Sequence, residues 1–141
     1  MKHLLTPEQS ATLIAKGISA DKASMFAWQK VRDGKGNPLS KKEKNREYNH
    51  GITLKKGMMI CGLECIEYTP IFTLADVCKL LPREVKIHRD GDTLSMIYHC
   101  GQWRVGYSNC AEYCKHTKVA PELIDALYSL LVWCLEKGYV K

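Results

Sequence analysis

EVKIHRDGDTLSMIYHCGQWRVGY, residues 84–107, is the stretch on which the fold turns. Read at period two it divides into three short strands, joined by turns at Asp90-Gly91-Asp92 and Cys100-Gly101-Gln102. Glycine at each turn supplies the positive φ that tight hairpin connections require. Three consecutive strands joined in this way form an antiparallel meander. In the last of them Trp103, Val105 and Tyr107 alternate with Gln102, Arg104 and Gly106, so one face is apolar and needs a covering layer.

The C-terminal segment supplies that layer. Between Pro121 and Lys137 apolar residues recur at helical spacing. At 100° per residue, Leu123, Ile124, Leu127, Tyr128, Leu130, Leu131, Cys134 and Leu135 fall within an arc of roughly 160°, and Glu122, Asp125, Ser129 and Glu136 fall opposite. A helix with one apolar stripe covers a sheet with one apolar face. Trp133 lies in the polar arc, which leaves two readings: a ring covered by a neighbouring loop, or an exposed anchor at a subunit or partner interface.

Working back towards the N-terminus, Thr6-Pro7-Glu8-Gln9 is a capping box with proline at the first helical position, and it predicts a helix from Pro7 to Lys16 with Gly17 as its stop. Ser24 to Arg32 alternates, with Phe26, Trp28, Lys30 and Arg32 on one face, and reads as a strand. Ile52 to Phe72 is strand-like, with a turn at Lys56-Gly57. Thr73 then caps a second short helix, LADVCKLL, which Pro82 ends. The 141 residues therefore predict a single α+β domain over 1–141, an antiparallel meander or sheet packed by an amphipathic C-terminal helix and two shorter helices. With 45% hydrophobic and 26% charged residues, the chain has the composition of a globular protein with a packed core.

One segment departs from this pattern. RDGKGNPLSKKEKNREYNHG, residues 32–51, reads as a loop over about 33–51 with a short helix across Lys41 to Tyr48. Its charge is equally distinctive. From Lys30 to Lys56 nine basic residues (Lys30, Arg32, Lys35, Lys41, Lys42, Lys44, Arg46, Lys55 and Lys56) face three acidic ones (Asp33, Glu43 and Glu47), so this stretch alone carries the whole formal charge of +6. Trp28, Lys30 and Arg32 lead into the Lys-rich loop, which would set a base-stacking surface beside a phosphate-attracting patch. The competing reading is a solvated charge run with Trp28 in the core.

Cysteine offers a weaker signal. The seven cysteines include two C-x3-C pairs, Cys61/Cys65 and Cys110/Cys114, and the second lies in NCAEYCKH, residues 109–116, with His116 two positions on. That spacing falls within the range of zinc sites, so Cys110, Cys114 and His116 form a candidate metal set. Ordinary free thiols are the favoured reading, because nothing at the N-terminus directs the chain to an oxidising compartment. MKHLLTPEQS turns polar within five residues and ALYSLLVWCL is too short to span a bilayer, so an intracellular, cytoplasmic protein without membrane contact is expected.

Other motifs are excluded by their residues. From Asp33 onward an EF-hand would need an oxygen ligand where Lys35 stands and glycine where Pro38 stands. There is no GxxxxGK[ST] phosphate loop, and the carboxylates are scattered singly.

Three patches, LTPEQSATLIAKGIS with DKAS, PIFTLADVCKLLP, and ELIDALYSLLVWCLEKGYV, together resemble a group of small uncharacterised proteins of gut Bacteroidetes genomes, their prophages and related mobile elements. The resemblance covers about half the chain and does not extend to the basic loop or NCAEYCKH. It implies no activity, but a mobile-element setting suggests an accessory protein that binds something made by the host. These readings converge on a non-enzymatic protein without a cofactor, whose basic segment holds an anionic partner: nucleic acid, a nucleotide or an acidic host protein. Self-association through the C-terminal helix with Trp133 at the interface, giving a homo-oligomer, is the alternative; a small zinc-stabilised domain is a second.

Overall fold

Antiparallel pairing organises the chain into two sheets rather than one. The computed structural model describes residues 1–53, 66–86, 91–108 and 116–140. In chain order these form α1 (Pro7–Ala15), β1 (Met25–Lys30), α2 (Lys41–Lys44), β2 (His50–Thr53), β3 (Ile66–Ile71), α3 (Leu74–Leu80), β4 (Glu84–Val85), β5 (Asp92–His99), β6 (Gln102–Ser108), β7 (His116–Ala120) and α4 (Leu123–Glu136). Strands β2-β1-β3 make a three-stranded sheet and β4-β5-β6-β7 a four-stranded one. The α+β class predicted from the sequence is the observed one.

The larger sheet is the meander with one strand added. The hairpin of β5 and β6 turns at Cys100-Gly101, with φ of 52° and 75°, and pairs Met96 with Val105 and Tyr98 with Trp103. The added strand, β7, pairs Trp103 with Ala120 and Val105 with Lys118. NCAEYCKH reads as irregular in the sequence, yet its His116 opens this strand; hydrogen bonding to β6 supplies the order that local propensity does not. Helix α4 packs on β6 and β7, as the apolar faces predict. Val105, Tyr107, Ile124, Leu127, Leu130 and Leu131 are fully buried in one core with Leu13, Phe72 and Val77.

Helix ends follow the sequence closely. Thr6 and Gln9 close the capping box of α1, and Thr73 and Asp76 close that of α3. Both α1 and α4 end in the same left-handed glycine motif. At Gly17 the amide of Ile18 reaches back to the Leu13 carbonyl, and at Gly138 the amide of Tyr139 reaches back to Cys134.

That second motif corrects the interface reading of Trp133. Trp133 as a residue is only 9% exposed, because Gly138 turns the tail so that Tyr139 lies 5.4 Å from its ring, while Tyr107 lies 6.3 Å away within the molecule. The helical wheel assigns Trp133 to the polar arc because it counts only one packing layer; the tail is a second. Trp133 therefore presents no exposed ring to a subunit or partner.

Candidate functional site

Trp28 and Lys30 lie on β1 of the three-stranded sheet, and Arg32 to Arg46 on the connection from β1 to β2. Every residue of β1 is half-buried, so neither face of this strand belongs to the closed core. Trp28 pairs with Gly51 across the strands. A Cβ built at Gly51 would stand 2.8 Å from Trp28 Nε1, so the missing side chain lets the indole lie along the backbone of β2. Trp28 is half-buried and lies outside the core cluster. The strand stops at Lys30, and Arg32 instead bridges to Pro38 beyond it.

Residues 31–39 form a loop, as the sequence predicts, and local hydrogen bonds order it. Asp33 Oδ1 accepts the amides of Lys35 at 2.8 Å and Asn37 at 2.9 Å, and the Leu39 amide donates to the Val31 carbonyl at 2.8 Å. An Asx turn therefore closes a small excursion. The amides of Asn37 and Lys35, together with the charge of Lys30, hold the Asp33 carboxyl below the usual carboxylate range. Ser40 then caps the single turn of α2 through the Glu43 amide. The helix predicted across Lys41 to Tyr48 divides into α2 and a 3₁₀ turn over Glu47–Asn49.

The cations of this excursion point outward. Arg32, Lys35, Lys41, Lys42 and Arg46 are exposed, and Lys30 and Lys44 are half-buried. Among the described residues only Arg46 of this group is in an ion pair, with Glu43 at 3.0 Å; its guanidinium also reaches the hydroxyl of Tyr48, which is 68% exposed. These cations lie at the end of β1 and along the segment that joins it to β2, and none of them lines the cavity beside it.

The chain matches no protein-family model, curated protein or solved structure.

A cavity does lie beside the excursion, and its lining has a different charge. An open groove of about 460 Å³ crosses the three-stranded sheet, lined by Glu8 of α1, Gln29, Asn45, His50, Ile52 and Glu67, with Pro7, Ala27, Trp28, Gly51 and Thr69 completing it. No lysine or arginine is among these lining residues. Sequence reading missed the groove because Glu8, His50 and Glu67 are far apart in the chain and meet only through strand register.

Cys110 and Cys114 lie outside the described residues, as do Cys61, Cys65, Lys55, Lys56 and the Lys56-Gly57 turn; of His116 only the backbone, in β7, is described. Cys78, Cys100 and Cys134 are free thiols. Burial pushes the Cys78 and Cys134 thiols up, and Cys134 sits 3.7 Å from the hydroxyl of Tyr107, so the partly buried Cys78 and the buried Cys134 behave as small apolar groups. No cluster of three potential metal ligands is found among the described residues, and no described helix is long and apolar enough to cross a membrane.

A further feature not foreseen from the sequence is the tip of the β5–β6 hairpin. Tyr98 and Trp103 are in ring contact at 5.1 Å, and Met96, Ile97 and Tyr98 are 40%, 56% and 60% exposed. The signal was present as two aromatic residues flanking a Cys-Gly turn.

Proposed function

We propose that this chain is a non-enzymatic binding protein that holds an extended polyanion against the projection from Lys30 to Arg46. The observation that carries this reading is that Arg32, Lys35, Lys41 and Lys42 are exposed and without an ion-pair partner among the described residues. Unneutralised cations on a projecting surface release counterions from a polyanion when it docks, which favours binding without any pocket. A nucleic acid strand fits this arrangement better than a single nucleotide, since the neighbouring groove is lined by two carboxylates that would repel a phosphate. An accessory role in a mobile genetic element, binding a host component, is in keeping with this chemistry.

The test is the salt dependence of binding to single-stranded and duplex oligonucleotides. Affinity should fall by about a hundredfold or more between 50 and 200 mM salt if roughly five phosphates are neutralised. The variant with Lys41, Lys42 and Lys44 each replaced by Gln should lower that slope. A slope unchanged in this variant, or affinity independent of salt, would overturn the reading.

A further inference from the structure

The groove across the three-stranded sheet has a chemistry opposite to that of the projection beside it. Its floor is set by register. Ala27 pairs with Ile52 on one side and Thr69 on the other, and Gln29 pairs with His50 and Glu67. Directly paired residues of antiparallel strands share a face, so these six side chains form two adjacent rows, one largely apolar and one polar. Helix α1 rests against β3 and brings Glu8 to the rim. At the other end the Gln29 amide nitrogen donates to the Lys44 carbonyl, 3.4 Å away, tying the end of α2 over the sheet.

These contacts fix which atoms remain for a ligand. His50 Nδ1 lies 2.9 Å from the Arg46 carbonyl oxygen. A carbonyl only accepts, so Nδ1 carries the hydrogen and the neutral ring keeps its lone pair on Nε2. Gln29 has one N–H of its amide engaged with the Lys44 carbonyl and retains its carbonyl oxygen as an acceptor. Glu8 and Glu67 have no side-chain hydrogen bond or ion pair among the described residues. Four lining groups therefore offer acceptors, two of them charged, beside the apolar surface of Ala27 and Ile52.

We infer that this groove is a binding site for a small organic cation, an alkylguanidinium or alkylammonium group on a short apolar stem. The cation's N–H donors meet the acceptors of Glu8, Glu67 and His50, and the stem lies over Ala27 and Ile52. The volume is within the range of small-molecule sites, about 300 to 1,000 Å³. Charge complementarity selects the occupant: among the described lining residues there is no fixed positive charge to oppose a cation. The same head group occurs on free molecules and on arginine side chains.

Backbone amide NMR during titration with agmatine, with acetyl-Gly-Arg-Gly-amide and with neutral n-butylurea tests the inference. Agmatine should produce saturable shifts at Ala27, Gln29, His50 and Thr69 with Kd of about 1 mM or tighter. The Glu8→Gln/Glu67→Gln double variant, isosteric and on the surface, should bind at least about tenfold more weakly. Tighter binding of the peptide than of agmatine would support the site and assign the head group to a protein side chain. Absence of saturation with both cations, equal binding of n-butylurea, or unchanged affinity in the double variant would overturn it. The triple Lys→Gln variant of the projection should bind agmatine as the parent does, so this site and the polyanion surface fail separately.

Discussion

The two sheets of this protein differ in how deeply they are buried. In the four-stranded sheet Val105 and Tyr107 are sealed beneath α4; in the three-stranded sheet all six residues of β1 remain half-exposed. Buried apolar area stabilises a fold in proportion to what is removed from water. The sheet under α4 therefore holds the molecule together, and the other sheet can carry charge, a groove and a projecting excursion on its surface. Binding residues commonly sit on loops supported by a rigid scaffold; under the proposed function, scaffold and bearer are distinct sheets.

Truncating the same kind of side chain in each sheet is the strongest way to break this contrast. Tyr107 is fully buried and its hydroxyl donates to the Pro82 carbonyl at 2.7 Å. Tyr107→Ala should cost about 4 kcal/mol in urea unfolding, and Trp28→Ala, on the half-buried strand, less than about 2 kcal/mol. Equal losses would mean that the sheets share the stabilising role.

Trp133→Ala sharpens the comparison at the C-terminal edge of the core. Removing a ring packed between Tyr107 and Tyr139 should cost about 3 kcal/mol, with the mass from light scattering unchanged. A lower mass without loss of stability would restore the interface role that its burial argues against.

Asp76 joins the two regions. It is 4% exposed and accepts the Ser24 amide at 2.8 Å and the Thr73 amide at 2.9 Å, as well as the Ser24 hydroxyl. Burial alone would raise its pKa, but the hydrogen bonds from Ser24 and Thr73 outweigh burial and hold it below the ordinary value of 3.8. Its folded pKa is the depressed one, so its stabilising contribution is complete above that ordinary value and is lost as pH falls through the folded value. Asp76→Ala should cost about 2 kcal/mol at neutral pH. Denaturation midpoints followed from pH 6 downward should be less sensitive to acid in Asp76→Asn than in the parent.

The smallest effect is expected at Gly51. A valine there meets the indole of the half-buried Trp28 rather than backbone, so the ring must shift and stability should fall by about 1 kcal/mol. The indole N–H resonance of Trp28 should move while the core methyl resonances do not. Movement throughout the core would show that the three-stranded sheet is coupled to α4 after all.

Local signals account for what was legible in the chain. Thr6 and Thr73 as caps, Gly17 as a stop, the Cys100-Gly101 turn and the apolar stripe of α4 all act over a few residues, through hydrogen bonds and periodicity that the sequence states directly. The concentration of cations from Lys30 to Arg46 was likewise legible, because charge is a property of composition. Less could be read of the chain's path there: the bridge between Arg32 and Pro38 and the turn at Asp33 order a segment whose residues favour a loop.

What the sequence by itself determined, then, was the α+β class, the helix ends and the location of the positive charge. Only the tertiary structure decided that β7 joins the meander, that Tyr139 folds back over Trp133, and that Glu8, His50 and Glu67 line one groove. The first group depends on neighbours within a turn or two of chain. The second depends on strand register and on the order in which layers stack, and these are set by the free energy of burying the whole chain at once.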